Sequence, residues 1–235
     1  DSLRATGEGS LKGLAFNHFR VNTLTMSGSW LGGARPSFTM TAALDSLSRG
    51  DQYVRDVKLA LAGPADSMNW TLSGDDGGLV EIAGTGRAWT DSGMRALAID
   101  TLSLGLPSRA WRLLAPSTIT LADSSVVVTP LRVQGTDGSG FISIAGNVPW
   151  TGAGSLDVEG LGLSMRDLSA LAQFDTAGIG GWLGFRVHLG GTRSAPTMEG
   201  TIGMEDARLG DTRGPMAQGV FTYADQRLDG GLLLY

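Results

Sequence analysis

The sequence predicts an all-β fold: a long antiparallel sheet with one or two short helical turns. Three observations carry this. Apolar and polar residues alternate with period two in short runs from end to end, as a half-buried strand requires, because successive side chains point to opposite faces. The runs close on Gly, Asp, Ser or Pro, and Asp-Gly turns of the hairpin type join two pairs of them. Stretches with helical spacing are few.

The runs can be taken in order. Leu24, Met26, Gly28 and Trp30 share one phase, followed by Phe38, Met40, Ala42 and Leu44. Ser46–Val54 reads as a loop with a helical turn. Val57, Leu59 and Leu61 alternate next, then Met68, Trp70 and Leu72. Asp75-Asp76-Gly77-Gly78 reads as a hairpin turn, returning through Val80 and Ile82. Ser108–Leu114 fits one or two helical turns before Pro116. The runs Thr118–Ala122, Ser124–Thr129 and Pro130–Gly135 follow, and a second turn at Asp137-Gly138-Ser139-Gly140 precedes Phe141–Gly146 and Ser155–Glu159. Arg166–Phe174 places Leu168, Leu171 and Phe174 at helical spacing, with Asp167 near its start.

Two runs change phase partway. Leu97 and Ile99 are odd-numbered, whereas Leu102, Leu104 and Leu106 are even; Leu156 and Val158 are even, whereas Leu161, Leu163 and Met165 are odd. A one-residue slip would turn the apolar set to the other face unless a bulge absorbs it. Bulges or sharp bends are therefore predicted near Asp100–Thr101 and Gly160.

Length and composition bound the function. A chain of 235 residues allows one large all-β domain or two small ones. No long low-complexity linker divides it, so one continuous body over residues 1–235 is expected, with a soft boundary near residues 172–181. An apolar fraction of 42% is enough for a packed interior, which argues against disorder. The net charge of −5 and the lack of any Lys/Arg run argue against nucleic-acid binding. With no cysteine there is no disulfide framework and no Cys-based metal site. No run of 18 apolar residues is present, so no membrane-spanning helix is expected. The chain opens at Asp1 and closes within the run Leu232–Tyr235, which reads as a piece cut from a longer protein.

Residue types that carry chemistry form no constellation. Of the two histidines, His18 and His188, the second lies on the polar phase opposite Phe185, Val187 and Leu189. It reads as a solvent-facing histidine. No G-x-S-x-G elbow occurs. Gly7–Gly13 has the wrong spacing for a dinucleotide fingerprint, and Gly152–Asp157 resembles a calcium β-roll unit that never recurs. The carboxylate neighbours Asp75-Asp76 and Glu205-Asp206 would face opposite ways on a strand or be solvated in a turn. The six tryptophans are scattered and read as core packing. Three tyrosines are too few for the girdles of an outer-membrane barrel. The chain is thus read as not an enzyme, with no catalytic, cofactor-binding or metal-binding residues and no cofactor.

What remains is the apolar face. Its candidate residues are Leu102 and Leu104; Ile119 and Leu121; Val126, Val128, Leu131 and Val133; Ile142 and Ile144; Leu156 and Val158; Leu183, Phe185, Val187 and Leu189; and Met198 and Ile202. Two such faces could close a dry sandwich. A single one, folded into an open trough, would hold acyl chains, since burying each CH₂ is worth about 0.8 kcal/mol. Periodicity alone favours the sandwich.

The C-terminal third bears on that choice. Gly184–Ile202 has an alternating strand, a Gly-rich turn closing on Ala195-Pro196, then a strand running through Met198 and Gly200. This resembles a signature of the TamB family, the translocation and assembly module proteins of Gram-negative envelopes. Asn147–Leu163, with Pro149-Trp150-Thr151-Gly152 ahead of Leu156-Asp157-Val158, is similar, as is the stretch from Ala115-Pro116 through Val133 to Gly146. The resemblance implies a long sheet folded into a hydrophobic groove, a β-taco, as in AsmA-like and bridge-like lipid transfer proteins. It implies a periplasmic body whose full-length protein is anchored in the inner membrane. The partners it implies are phospholipid acyl chains in the groove and an Omp85-type outer-membrane barrel, met through other parts of the chain. The function implied is passage of phospholipid between the membranes, support of outer-membrane protein assembly, or both. The alternatives from the residues are a β-solenoid or adhesin-like interaction module of a secreted protein, and an enzyme on an all-β scaffold. The first needs a repeat of constant length, and the second paired carboxylates on one strand face.

Overall fold

The computed structural model describes residues 3–16, 19–49, 52–64, 66–75, 80–171 and 178–235. Seventeen strands and one short helix make up the elements among these residues, so the protein is nearly all-β. Every strand pairing within either of its two compact units is antiparallel. This is the pairing the hairpin turns predict, and it differs from the parallel coils of a β-helix. The units are Asp1–Gly105 and Leu106–Tyr235. No helix among the described residues is long and apolar enough to cross a membrane.

The first unit is a meander of β1 (Arg4–Phe16), β2 (Phe19–Leu31), β3 (Ser37–Arg49), β4 (Gln52–Pro64), β5 (Ser67–Asp75), β6 (Glu81–Asp91) and β7 (Met94–Gly105). Each strand pairs with the next. Register puts Leu24, Met26 and Trp30 beside Leu44, Ala42 and Phe38, and carries the row on through Leu59, Leu61, Trp70 and Leu72. The opposite face is rich in Ser and Thr: Ser27 sits across from Thr41, and Thr85 from Thr101.

In the second unit, β8 (Ala110–Leu113) and β9 (Ser117–Leu121) both pair with β10 (Ser125–Gly135), as two halves of one broken strand. The sheet continues through β11 (Phe141–Pro149), β12 (Gly154–Ser164), β13 (Ile179–Gly191), β14 (Pro196–Leu209), β16 (Ala217–Ala224) and β17 (Arg227–Leu234). The two-residue β15 (Thr212–Arg213) pairs with the end of β14. Helix α1 (Met165–Leu171) packs on β12 and β13.

The two phase flips are bulges. Thr85 pairs with Thr101 but Gly86 with Ile99, so Asp100 is the extra residue of β7. Gly160 pairs with Phe185 and Leu163 with Leu183, so β12 carries one extra residue between them. Gly162, in that bulge, has φ +62°, a conformation glycine adopts at no steric cost. The first keeps Leu97, Ile99, Leu102 and Leu104 on one face; the second returns Leu163 to the face of Leu156 and Val158 but leaves Leu161, across from Phe141, on the opposite face. A third, in β10, contains Pro130 between Val128 and Leu131, where a proline need donate nothing to the ladder.

Several expectations are corrected. Ser108–Leu114 is not helical: Ala110–Leu113 forms β8. A seven-residue helix is marginal by itself, whereas the free edge of β10 supplies backbone partners, with Trp111 across from Gly135 and Leu113 from Val133. Ser46–Arg49 and Gln52–Val54 are not a loop but the ends of β3 and β4, paired as far as Arg49 and Gln52. The tryptophans do not all pack in a core: Trp111 is buried, but Trp30, Trp150 and Trp182 are exposed. The helix expected over Arg166–Phe174 is α1, described from Met165 to Leu171; residues 172–174 lie outside the described residues. The central residues of the first predicted turn, residues 172–177 of the expected boundary at 172–181, and His18 lie outside the described residues.

Candidate functional site

The ladders of the second unit bring its sequence-predicted apolar residues together in rows that cross the strands. One row runs Ile119, Val128, Gly146, Leu156, Leu189, Met198, Tyr223 and Leu228. The next runs Leu131, Ile144, Val158, Val187, Gly200, Phe221 and Gly230. A third runs Leu113, Val133, Ile142, Gly160, Phe185, Ile202, Gly219 and Leu232. Leu163, Leu183 and Met204 begin a fourth, and Leu121 and Val126 pair at the far end. Leu102 and Leu104 belong to the first unit, across from Gly84 and Ile82.

Among the described residues, most of this face is not fully buried. Among the eighteen candidates only Val133 is buried; Leu121, Leu189 and Ile202 are exposed, and the rest are half-buried. The buried apolar residues among those described are Ala96, Ala98, Trp111, Val133, Leu163 and Ala170. In the second unit that core gathers where α1 meets the sheet. A dry sandwich would bury the inward residues of every strand.

Aromatic rings lie across glycines on the apolar face. A Cβ at Gly160 would stand 2.7 Å from the Phe185 ring, one at Gly200 2.6 Å from the Phe221 ring, and one at Gly86 2.7 Å from the Trp70 indole. Each is a directly paired cross-strand couple. Glycine weakens a strand interior, and a ring laid over it restores apolar contact. Trp70 also donates from Nε1 to the Ala98 carbonyl, 3.1 Å away, which satisfies its one polar atom.

The opposite face of the second unit is charged. Arg186 Nη2 donates to Glu159 Oε1 at 2.5 Å across β12 and β13. One register step along, His188 Nδ1 and Asp157 Oδ1 are 2.7 Å apart, with Glu199 on the other flank of His188. The Asp157 hydrogen bond raises the His188 pKa above its ordinary value; partial desolvation opposes this, and the charges of Asp157 and Glu199 add to the rise. No group of three metal-ligating side chains occurs among the described residues.

At the α1 end, Arg109 is nine-tenths buried. Its guanidinium lies 4.8 Å from the Trp182 ring centroid and 5.6 Å from that of Trp111. Its Nη1 donates to the Ser139 carbonyl at 2.8 Å and to the Ser139 hydroxyl. Buried Asp167 accepts from the Ser108 backbone N–H at 2.8 Å, while its second oxygen has no protein partner.

The sequence reading left out Phe221, Tyr223, Leu228, Leu232 and, apart from Leu102 and Leu104, the apolar face of the first unit. Period two was present in Ala217-Gly219-Phe221-Tyr223 and in Leu228-Gly230-Leu232-Leu234. The interleaved glycines hid it, because a glycine does not register as apolar until a neighbouring ring covers it. No family model, no curated protein and no solved structure matches this chain.

Proposed function

We propose that this chain is a segment of a periplasmic envelope protein of the TamB type, anchored in the inner membrane elsewhere in its length, whose apolar β face carries phospholipid acyl chains toward the outer membrane. The observation that supports this most is the half-exposed state of nearly every candidate on the apolar face of the second unit. Two of the rows cross eight strands each, and at about 4.8 Å per step each extends about 34 Å. That exceeds the roughly 15 Å depth of one leaflet's hydrocarbon, so a chain lying along the row stays shielded over its whole length. Each CH₂ so covered gains about 0.8 kcal/mol relative to water. The headgroup stays at the rim in solvent, and passage needs no covalent step. Support of outer-membrane protein assembly beside a barrel partner belongs to the same proposal, through the family resemblance.

The test is native mass spectrometry of the chain purified from a Gram-negative host, with organic extraction. Phospholipid that co-purifies and is lost on Val128→Asp, with the β circular dichroism retained, is the expected result. A lipid-free wild-type protein that also takes up no phospholipid from vesicles would overturn the proposal.

A further inference from the structure

The glycines of this sheet differ in what stands above them. Those on the apolar face at 86, 160 and 200 are filled by a cross-strand ring. Gly184 and Gly203, a directly opposed pair on β13 and β14, are not. A Cβ on Gly203 would meet only a backbone oxygen at 3.9 Å, and one on Gly184 would touch the Leu161 Cδ1 at 3.4 Å. Neither has positive φ. Turn geometry and side-chain packing therefore do not call for glycine at these two positions. Gly7, Gly9 and Gly231 are as bare; what sets this pair apart is the exposed Trp182 indole beside it, where a strand-interior glycine lets a ligand approach the backbone closely.

The space above the pair is a depression of about 580 Å³ on the charged face, opposite the acyl-binding rows. Its walls include Leu161 and Trp182, both exposed. Arg109 covers part of the Trp182 ring and does not line the depression. The indole is thus held in place from one side and meets the depression with the surface left free. Glu205, Gln218 and Thr201 stand around the floor, with the Arg186–Glu159 pair at one edge. We propose that this depression binds a neutral pyranose oligosaccharide. A sugar ring has a C–H face that stacks on an indole and lies flat on a glycine floor. Its equatorial hydroxyls match carboxylate, amide and hydroxyl groups at the rim. An anionic ligand fits poorly: Arg186 is already paired with Glu159, and Glu205 adds negative charge.

The test uses the whole 235-residue chain titrated with cellotriose, maltotriose and chitotriose, following the indole N–H resonance of Trp182. At least one trisaccharide is expected to shift that resonance, with Kd about 1 mM. Gly203→Val should weaken binding at least about tenfold without lowering the melting temperature, because valine fits the open floor and favours a strand. Gly203→Ala serves if valine does not fold. Leu189→Ser, on the other face, should bind as the wild type does. The inference is overturned if none of the three sugars acts up to about 20 mM. It is also overturned if Gly203→Val and Gly203→Ala both bind normally, if Leu189→Ser loses binding equally, or if the depression takes up an extended peptide and no sugar.

Discussion

Phe185 packs against Gly160, its cross-strand partner, so closely that a Cβ at position 160 would stand 2.7 Å from the ring and 2.8 Å from Leu163 Cδ1. The contact sits beside the bulge that turns the second half of β12 back onto the apolar face, and Leu163, three residues on, is buried. The glycine, the ring and the bulge therefore form one unit of packing.

Gly160→Val should destabilise the fold by about 1–3 kcal/mol, the usual range for overpacking. Phe185→Ala should make the same valine easier to accept. A double-mutant cycle in urea is expected to show favourable coupling between the two changes. Strict additivity would mean that the ring does not rest on the glycine.

A charge should separate the closed part of the apolar face from its open part. Val133 is 9% exposed and Leu189 37%. Val133→Asp should cost about 3 kcal/mol or more, because a buried carboxylate has no partner there. Leu189→Asp should leave the thermal melt within a few degrees and reduce bound phospholipid. Equal loss of stability in both variants would point to a closed interior at position 189.

His188 should make stability depend on pH. Its folded pKa is raised above the ordinary 6.5, first by the Asp157 hydrogen bond. Protonated His188 therefore favours the fold. That contribution is complete below about pH 6.5 and disappears as pH rises through the raised value. Asp157→Asn should return the imidazole titration, followed by proton resonance, toward the ordinary value and flatten this part of the stability profile.

Arg109→Lys should not be tolerated as a conservative change. A lysine lacks the planar guanidinium that lies by the Trp111 and Trp182 rings while donating to the Ser139 carbonyl. A loss of about 1–2 kcal/mol is expected in urea titration, together with a red shift of tryptophan emission as Trp182 is freed.

Period two in the sequence was enough to assign each candidate to a face, because Cβ atoms alternate along any extended strand whatever its neighbours do. It was also enough to locate two bulges, since the phase flips between Ile99 and Leu102 and between Val158 and Leu163 need an extra residue to keep those side chains on one face. Hairpin turns implied sequential antiparallel pairing for the same local reason. Tertiary structure decided the rest. Ala110–Leu113 became a strand because β10 offered it backbone partners. Asp157 met His188 across 31 residues of chain, a distance at which local spacing carries no information. The tertiary fold also decided which glycines lie beneath a ring and which stay bare. That depends on a side chain from the neighbouring strand, so Gly160 and Gly203 look alike in the sequence and differ only in what stands above them.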